Sequence, residues 1–253
     1  MSFAIEWLDL RESADNAARD TDLRSRVMTF LASKGEPLVA DLGAGTGSTM
    51  RAMAEVDTGW RLIDNDPKLL TEAARRGGGK VETVEMDLTR VEDIPLDGVS
   101  LVSASALFDL VSAEWIDALA DRLAEARIGI YAALSYDGIL EWEPSDIDDS
   151  AAQDAFNADQ RTVKSFGLAL GPDGASHLAE AMKIRGSELH VAQSPWRLGG
   201  TDAALQRSLL EGIAEAAARS GMANADDWLA RRLDAAEKTR CTVGHLDVLA
   251  LPS

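Results

Sequence analysis

Leu38-Val39-Ala40-Asp41-Leu42-Gly43-Ala44-Gly45-Thr46-Gly47 is the stretch on which the reading of this chain turns. Its first five residues are apolar apart from Asp41, which suits a short buried strand. Glycines then stand at every second position. Lacking a Cβ, each can take a left-handed backbone and let another molecule approach the chain closely. Met50, Met53, Ala54 and Val56 follow at helical spacing. Strand, glycine turn and helix in that order open a βαβ unit.

Working outward, the alternation continues. Residues 60–64 form a second apolar run. Asp66-Pro67 starts a helix, with the acid as cap and proline at the first helical position. Residues 81–88 and 99–103 read as third and fourth strands. A helix over 112–127 carries Trp115, Ile116, Leu119, Ala120 and Leu123 on one stripe, and a fifth strand follows at 128–134. Strands alternating with amphipathic helices predict an α/β fold with a doubly wound, mostly parallel sheet. Before it, residues 4–31 read as helical, with a cap at Thr21-Asp22. After it, the acidic, turn-rich residues 137–150 read as a connecting loop or lid. Helices are expected at 151–163 and 174–184, and a strand at 188–191. A helical stretch over 199–239 and a last strand at 241–251 complete the chain. No linker divides it, so one domain spanning 1–253 is expected. Its parts would be an N-terminal helical cap (1–33), a core (37–138), a lid or substrate segment (139–170) and a helical insertion (199–239).

The chain has 253 residues, with 43 acidic against 25 basic side chains and a net charge of −18. That balance weighs against nucleic acid as a partner, because phosphate binding needs a basic face. A single cysteine, Cys241, excludes an internal disulfide and an all-cysteine zinc site. His177, His190 and His245 are too scattered to suggest a metal cluster, and no metal is expected. The first residues carry acids and lack the pattern of a signal peptide, and no apolar run is long enough to span a membrane. A cytoplasmic protein with no membrane partner, monomeric or homodimeric, is the expectation.

The glycine spacing narrows the ligand. A dinucleotide fingerprint would place its third glycine at position 48, which is serine; the chain has D-x-G-x-G-x-G instead. This segment resembles motif I of the class I S-adenosylmethionine-dependent methyltransferases. The resemblance is strong over 37–138 and weaker over 174–198 and 240–251. It implies a Rossmann-like methyltransferase fold with a seven-stranded sheet, S-adenosylmethionine as cofactor, and a methyl acceptor. Gly43, Ala44, Gly45 and Gly47 would pass under the methionine part of the cofactor. Asp41 would support the loop and the cofactor's amino group.

Asp64 closes the second strand about twenty residues on, where a ribose-binding acid is expected, with Asn65 beside it. Asp66 is explained by capping. After the third strand, Asp87 and Leu88 would meet the adenine, and after the fourth, Ser103 and Ala104 would offer carbonyls to the cofactor. The Asn/Asp-Pro-Pro-aromatic form of many amino-methylating enzymes of nucleic acids is missing, as is a Pro-Cys nucleophile. The family's last two strands form a tight pair, whereas some forty residues separate them here, which leaves the sheet's final edge open.

Methyl transfer from a sulfonium is an in-line displacement, so the protein mainly aligns the partners. Asp109 and His245 are the candidate bases. A small-molecule substrate chamber is expected under the N-terminal helix and the segment after the fifth strand, with the turn 194–197 at its wall. Arg11, the cluster Asn157, Gln160, Arg161 and Lys164, and Arg197 beside Trp196 are its candidate contacts. An arginine next to an aromatic plane suits a carboxylate or phosphate. Two other readings are a nicotinamide-dependent oxidoreductase and a non-catalytic cofactor-binding module. The glycine spacing and the lack of a Tyr-x-x-x-Lys pair oppose the first. The complete glycine loop and both strand-end acids oppose the second.

Overall fold

The computed structural model describes residues 4–78 and 80–253. The chain enters through two helices, α1 (Ile5–Ala18) and α2 (Thr21–Ala32). The break between them is set by Asp20, whose carboxylate accepts from the Leu23 amide at 2.8 Å; the cap is therefore Asp20 and not Thr21-Asp22. Leu23, Val27 and Leu31 of α2 are buried at helical spacing.

The sheet then builds outward from β1 (Leu38–Leu42). Short α3 (Ser48–Ala52) leads to β2 (Gly59–Asp64), and α4 (Pro67–Arg76) to β3 (Val81–Glu85). The chain crosses to β4 (Leu101–Ser105), then through α5 (Ala113–Ala126) to β5 (Gly129–Glu143). After α6 (Asp149–Gln160) come a small hairpin, β6 (Val163–Lys164) and β7 (Gly167–Leu168), and then α7 (Gly174–Ile184). The remainder is β8 (Glu188–Gln193), β9 (Trp196–Leu198), α8 (Ala203–Arg219), α9 (Ala225–Ala235) and β10 (Arg240–Leu251).

Strand order is β3-β2-β1-β4-β5-β10-β8, with β9 also paired to β10. The first five strands of this path are parallel, and β10 is antiparallel to β5, β8 and β9. The expected seven-stranded sheet thus acquires an eighth short strand. Its far edge closes normally: β10 returns between β5 and β8 despite the helices inserted before it.

Several boundaries differ from the sequence reading; the helix expected over 151–163 runs from Asp149 to Gln160, and the strand expected over 188–191 runs to Gln193. β3 stops at Glu85 and β4 begins at Leu101 and runs to Ser105. β5 continues through Asp137-Gly138 to Glu143, so residues 139–143 are strand and not part of a loop or lid. In that extension Leu140 and Trp142 are buried while Ile139, Glu141 and Glu143 are exposed, the alternation of a half-buried strand.

Each face of the sheet is covered. On one, Trp115, Ile116, Leu119 and Leu123 of α5 pack with Leu178 and Met182 of α7 over Ala40, Val102 and Ile130. On the other, α2, Met50, Met53 and Leu70 cover Val39, Leu62 and Leu101. A third core joins the β5 extension to the inserted helices through Trp142, Trp196, Leu210 and Trp228. The acidic stretches 141–149 and 226–237 are bound into this core. Trp228 is fully buried and its indole N–H donates to Asp149, and Arg231 and Arg232 pair with Asp146 and Asp149. Among the described residues, no helix is long and apolar enough to cross a membrane.

Candidate active site

The carboxyl ends of β1, β2 and β4 and the segment after β3 open into one cavity of about 380 Å³. Parallel strands bring this about: all their C-termini face the same way, and the sheet's order reverses between β1 and β4. Gly43, Gly45 and Gly47 all have positive φ, of 66°, 53° and 81°, so the loop needs glycine on conformational grounds alone. Gly43 and Gly45 line the cavity, while Gly47 caps the start of α3.

Asp64 is buried at the end of β2 and accepts from the Gly45 amide at 2.9 Å and the Asp66 amide at 3.0 Å. The acid and the glycine loop are thus one hydrogen-bonded wall. Asp66 accepts from the Lys68 amide as the α4 cap. Asn65, Leu69, Asp87 and Leu88 continue the wall. Asp87 is held below the usual carboxylate range by the amide and hydroxyl of Thr89.

Beneath the loop, Asp41 is sealed in the sheet. Ser103, its partner in the β1–β4 register, donates to one carboxylate oxygen at 2.6 Å, and the other oxygen has no partner. Burial raises its pKa to about 7, against the opposing pull of Ser103 and Arg19.

The cavity's other end is built from segments far apart in the chain. Leu8 and Arg11 come from α1, Ser105, Ala106, Leu107 and Leu110 from the end of β4, and Lys164, Ser165 and Phe166 from the small hairpin. Arg11 is fixed by a bidentate pair with Asp15, at 2.9 and 3.1 Å, and lies 5.0 Å over the Trp196 ring. Trp196 donates its indole N–H to the same Asp15 at 3.0 Å. His245 packs edge-on to Trp196 and Tyr136, with its Nδ1 buried and unpartnered. Burial and the nearby Arg11 push its pKa down to about 3, so it is neutral. Asp109 has one sealed, unpartnered carboxylate oxygen. Burial raises its pKa to about 6, with Arg11 and Lys164 acting in the opposite sense.

The structure therefore gathers Gly43, Gly45, Asp64, Asn65, Asp87, Leu88, Arg11 and Lys164 around one cavity. It sets other expected residues elsewhere: Asp41 and Gly47 lie beneath or behind the loop, and neither Asp109, His245 nor any residue of the turn 194–197 lines this cavity. Ala44, Ser103 and Ala104 are buried and do not line the cavity; because β4 ends two residues later than read, Ser105, Ala106 and Leu107 stand at its mouth instead. Asn157 accepts from the Tyr136 hydroxyl at 2.8 Å and donates to the Gly138 carbonyl, which makes it a brace behind the site. Gln160 and Arg161 also lie off the cavity, Arg161 pairing with Asp173 on the surface. Arg197 is exposed on β9 and lines a separate open groove with Glu141, Trp142 and Arg240. Missed by sequence reading were Leu8, Leu69, Thr89, Leu110, Ser165 and Phe166. Of these only Leu69 and Thr89 had a signal, as near neighbours of the strand-end acids.

No protein-family model matches the chain, and no curated protein matches it. Solved structures do resemble it. The YcgJ protein from Bacillus subtilis superposes with a TM-score of 0.54 at 11% identity, over 92% of this chain and 100% of that one. A geranyl diphosphate methyltransferase in complex with GPP and sinefungin gives 0.52 at 13% identity, over 92% and 78%. An S-adenosylmethionine-dependent methyltransferase from Geobacter sulfurreducens, bound to S-adenosyl-L-homocysteine, gives 0.50 at 14%, over the whole of both chains. With the strand order and the antiparallel β10 described above, these likenesses establish that the chain has the Rossmann-like fold of the class I S-adenosylmethionine-dependent methyltransferases.

Proposed function

We propose that the protein transfers a methyl group from S-adenosylmethionine to a small-molecule acceptor. The observation that carries this reading is the single wall formed when Asp64 accepts from the Gly45 amide at 2.9 Å, with one cavity running from it to Arg11 and Lys164. The residues present fit the cofactor. The loop offers backbone without Cβ, and Asp64 and Asn65 offer acceptors for ribose hydroxyls. Leu69 and Leu88 offer apolar surface for adenine with Asp87 at its edge. The buried Asp41 oxygen without a partner suits a nearby ammonium group. Bound there, the cofactor supplies a methyl group activated by its sulfonium.

The chain's own residues do the rest. Arg11, locked by Asp15 and stacked on Trp196, and Lys164 supply positive charge at the acceptor's end of the cavity, which favours an acceptor bearing a carboxylate or phosphate. Asp109 is the better candidate base, since a carboxylate tuned to about 6 is ionised at neutral pH and still takes a proton. His245, held neutral with a pKa of about 3, packs against Trp196 and Tyr136 and does not line the cavity.

The test is a thermal shift with S-adenosylhomocysteine against NADH. At a hundredfold excess over Kd the bound ligand adds about 2.7 kcal/mol, which raises Tm by roughly 5–10 °C for a chain of this size. A rise with NADH and none with S-adenosylhomocysteine overturns the reading. Release of S-adenosylhomocysteine with a defined acceptor then separates an enzyme from a binding module.

A further inference from the structure

Arg19 closes α1 and is the one arginine of that helix region drawn fully into the protein, with 4% of its surface exposed. Among the described residues no carboxylate lies within ion-pairing distance of it. Its Nη2 donates to Ser105 Oγ at 2.9 Å and to Thr49 Oγ1 at 3.3 Å, while Nε and Nη1 are buried and have no partner. A guanidinium buried without a counter-ion is costly unless something anionic completes the site. The two hydroxyls are themselves 3.0 Å apart. Thr49 is sealed behind the glycine loop, and Ser105 faces the cavity.

The charge at the root of this short chain makes both hydroxyls acceptors from Arg19. The guanidinium only donates, so both hydroxyl oxygens accept from it. Each hydroxyl then has its own hydrogen to place. Either hydroxyl can donate to the other; with Thr49 as the donor, the Ser105 hydrogen is left for a ligand in the cavity that Ser105 lines. Each donor is polarised by the one behind it, so the positive charge of Arg19 is expressed at Ser105 without Arg19 entering the cavity. Ser105 lines the same cavity as Gly43 and Gly45.

We propose that Arg19, acting through Thr49 and Ser105, is the positioning residue for the α-carboxylate of the cofactor. Asp41, buried nearby and with one free oxygen, answers the α-amino group of the same zwitterion. Arg19 and Asp41 are then the cationic and anionic halves of one recognition device laid under the loop. The proposal rests on the cofactor reading above.

The experiment compares two probes by calorimetry: S-adenosylhomocysteine, and its decarboxylated analogue, which keeps the amine and lacks only the carboxylate. Wild-type protein should bind the first more tightly by about tenfold or more, the scale of a hydrogen bond to a charged group. Arg19→Met should bring that ratio close to one while the affinity for the analogue changes little. Ser105→Ala, which leaves the cation in place and removes the last donor, should do the same and serves if Arg19→Met does not fold. A ratio unchanged in Ser105→Ala, or a loss in Arg19→Met that is equal for both probes, overturns the proposal and makes Arg19 part of the scaffold. Failure of wild-type protein to bind either probe overturns the cofactor reading itself.

Discussion

Two buried aspartates divide the molecule. Asp41 lies in the parallel half, under the glycine loop, with one hydrogen bond and one oxygen left over. Asp247 lies in the antiparallel half, in β10, and both its oxygens are filled. Leu134 N and Ser194 Oγ donate to one, at 2.8 and 2.6 Å, and Asp20 N and Tyr131 Oη to the other, at 3.1 and 3.0 Å. A carboxylate so satisfied is a structural knot, tying the α2 cap, a left-handed residue in β5 and the turn before β9 to one strand. A carboxylate left half satisfied beneath the glycine loop is the binding group proposed above. The parallel half thus carries the candidate site, and the antiparallel half a fully bonded carboxylate of its own.

The largest expected effect tests the second half of that contrast. Asp247→Ala strands four donors in the interior. At the usual 1.5–3 kcal/mol for each bond to a charged group, the loss is roughly 5 kcal/mol or more, enough to abolish folding in most domains. Urea unfolding measures it. A loss below about 1 kcal/mol would break the comparison, since Asp247 would then be no more than a filler of space.

Asp41 makes the opposite signature. Its pKa is raised from 3.8 unfolded to about 7 in the fold. Between those values the native state keeps a proton that the unfolded chain has lost. Without ligand, its contribution to stability therefore falls as pH rises from about 4 to 7, and is level below and above that window. The span corresponds to something on the order of 4 kcal/mol. Asp41→Asn removes the slope, so the difference in unfolding free energy between variant and wild type should grow from pH 4 to pH 7. A difference flat in pH would mean that Asp41 is stabilised by partners as Asp247 is.

Asp64→Ala sharpens the comparison on the ligand side. The acid accepts from two amides, so its loss loosens the loop as well as removing the proposed ribose acceptor. Calorimetry with S-adenosylhomocysteine should show a loss of roughly 1.5–3 kcal/mol. Asp66→Ala, which removes the α4 cap, should cost stability of about 1 kcal/mol or more and leave affinity alone. If the two variants exchange these outcomes, the acid assigned to the ribose is the wrong one.

The same division explains what was legible beforehand. The parallel half is written contiguously: Asp41 to Gly47 is a strand, a turn and a helix start in one run, and Asp64 follows at the end of the next apolar stretch. Periodicity and glycine spacing suffice to find both. The far end of the cavity joins Arg11 and Lys164, which share no local pattern; only the return of β10 beside β5 and the packing of α1 on β9 bring their surroundings together. Asp247 could not be singled out, because an acid in a strand looks alike whether its partners are water or four buried donors. The extension of β5 was hidden for a different reason. Asp137-Gly138 carries the chemistry of a turn, yet pairing with a strand as long as β10 carries the backbone straight through it.

Arg197 gives the smallest expected effect and closes the contrast. In sequence it neighbours Trp196, and an arginine beside an aromatic plane suggested an anion site. The structure gives that partnership to Arg11 instead. Alternation along β9 turns Trp196 inward, under Arg11 and against His245, and turns Arg197 out to solvent. Arg197 makes no ion pair with any described residue and does not line the cavity of Asp64. Arg197→Ala should therefore change stability by less than about 0.5 kcal/mol, the usual range for surface substitutions, and leave S-adenosylhomocysteine affinity unchanged. Arg11→Ala removes the guanidinium from the cavity and leaves Asp15 bonded only to Trp196, and it should destabilise the fold measurably more. Parallel thermal melts of the two variants decide it. A larger loss in Arg197→Ala than in Arg11→Ala would place the structural arginine on β9 and undo the account of the chamber wall.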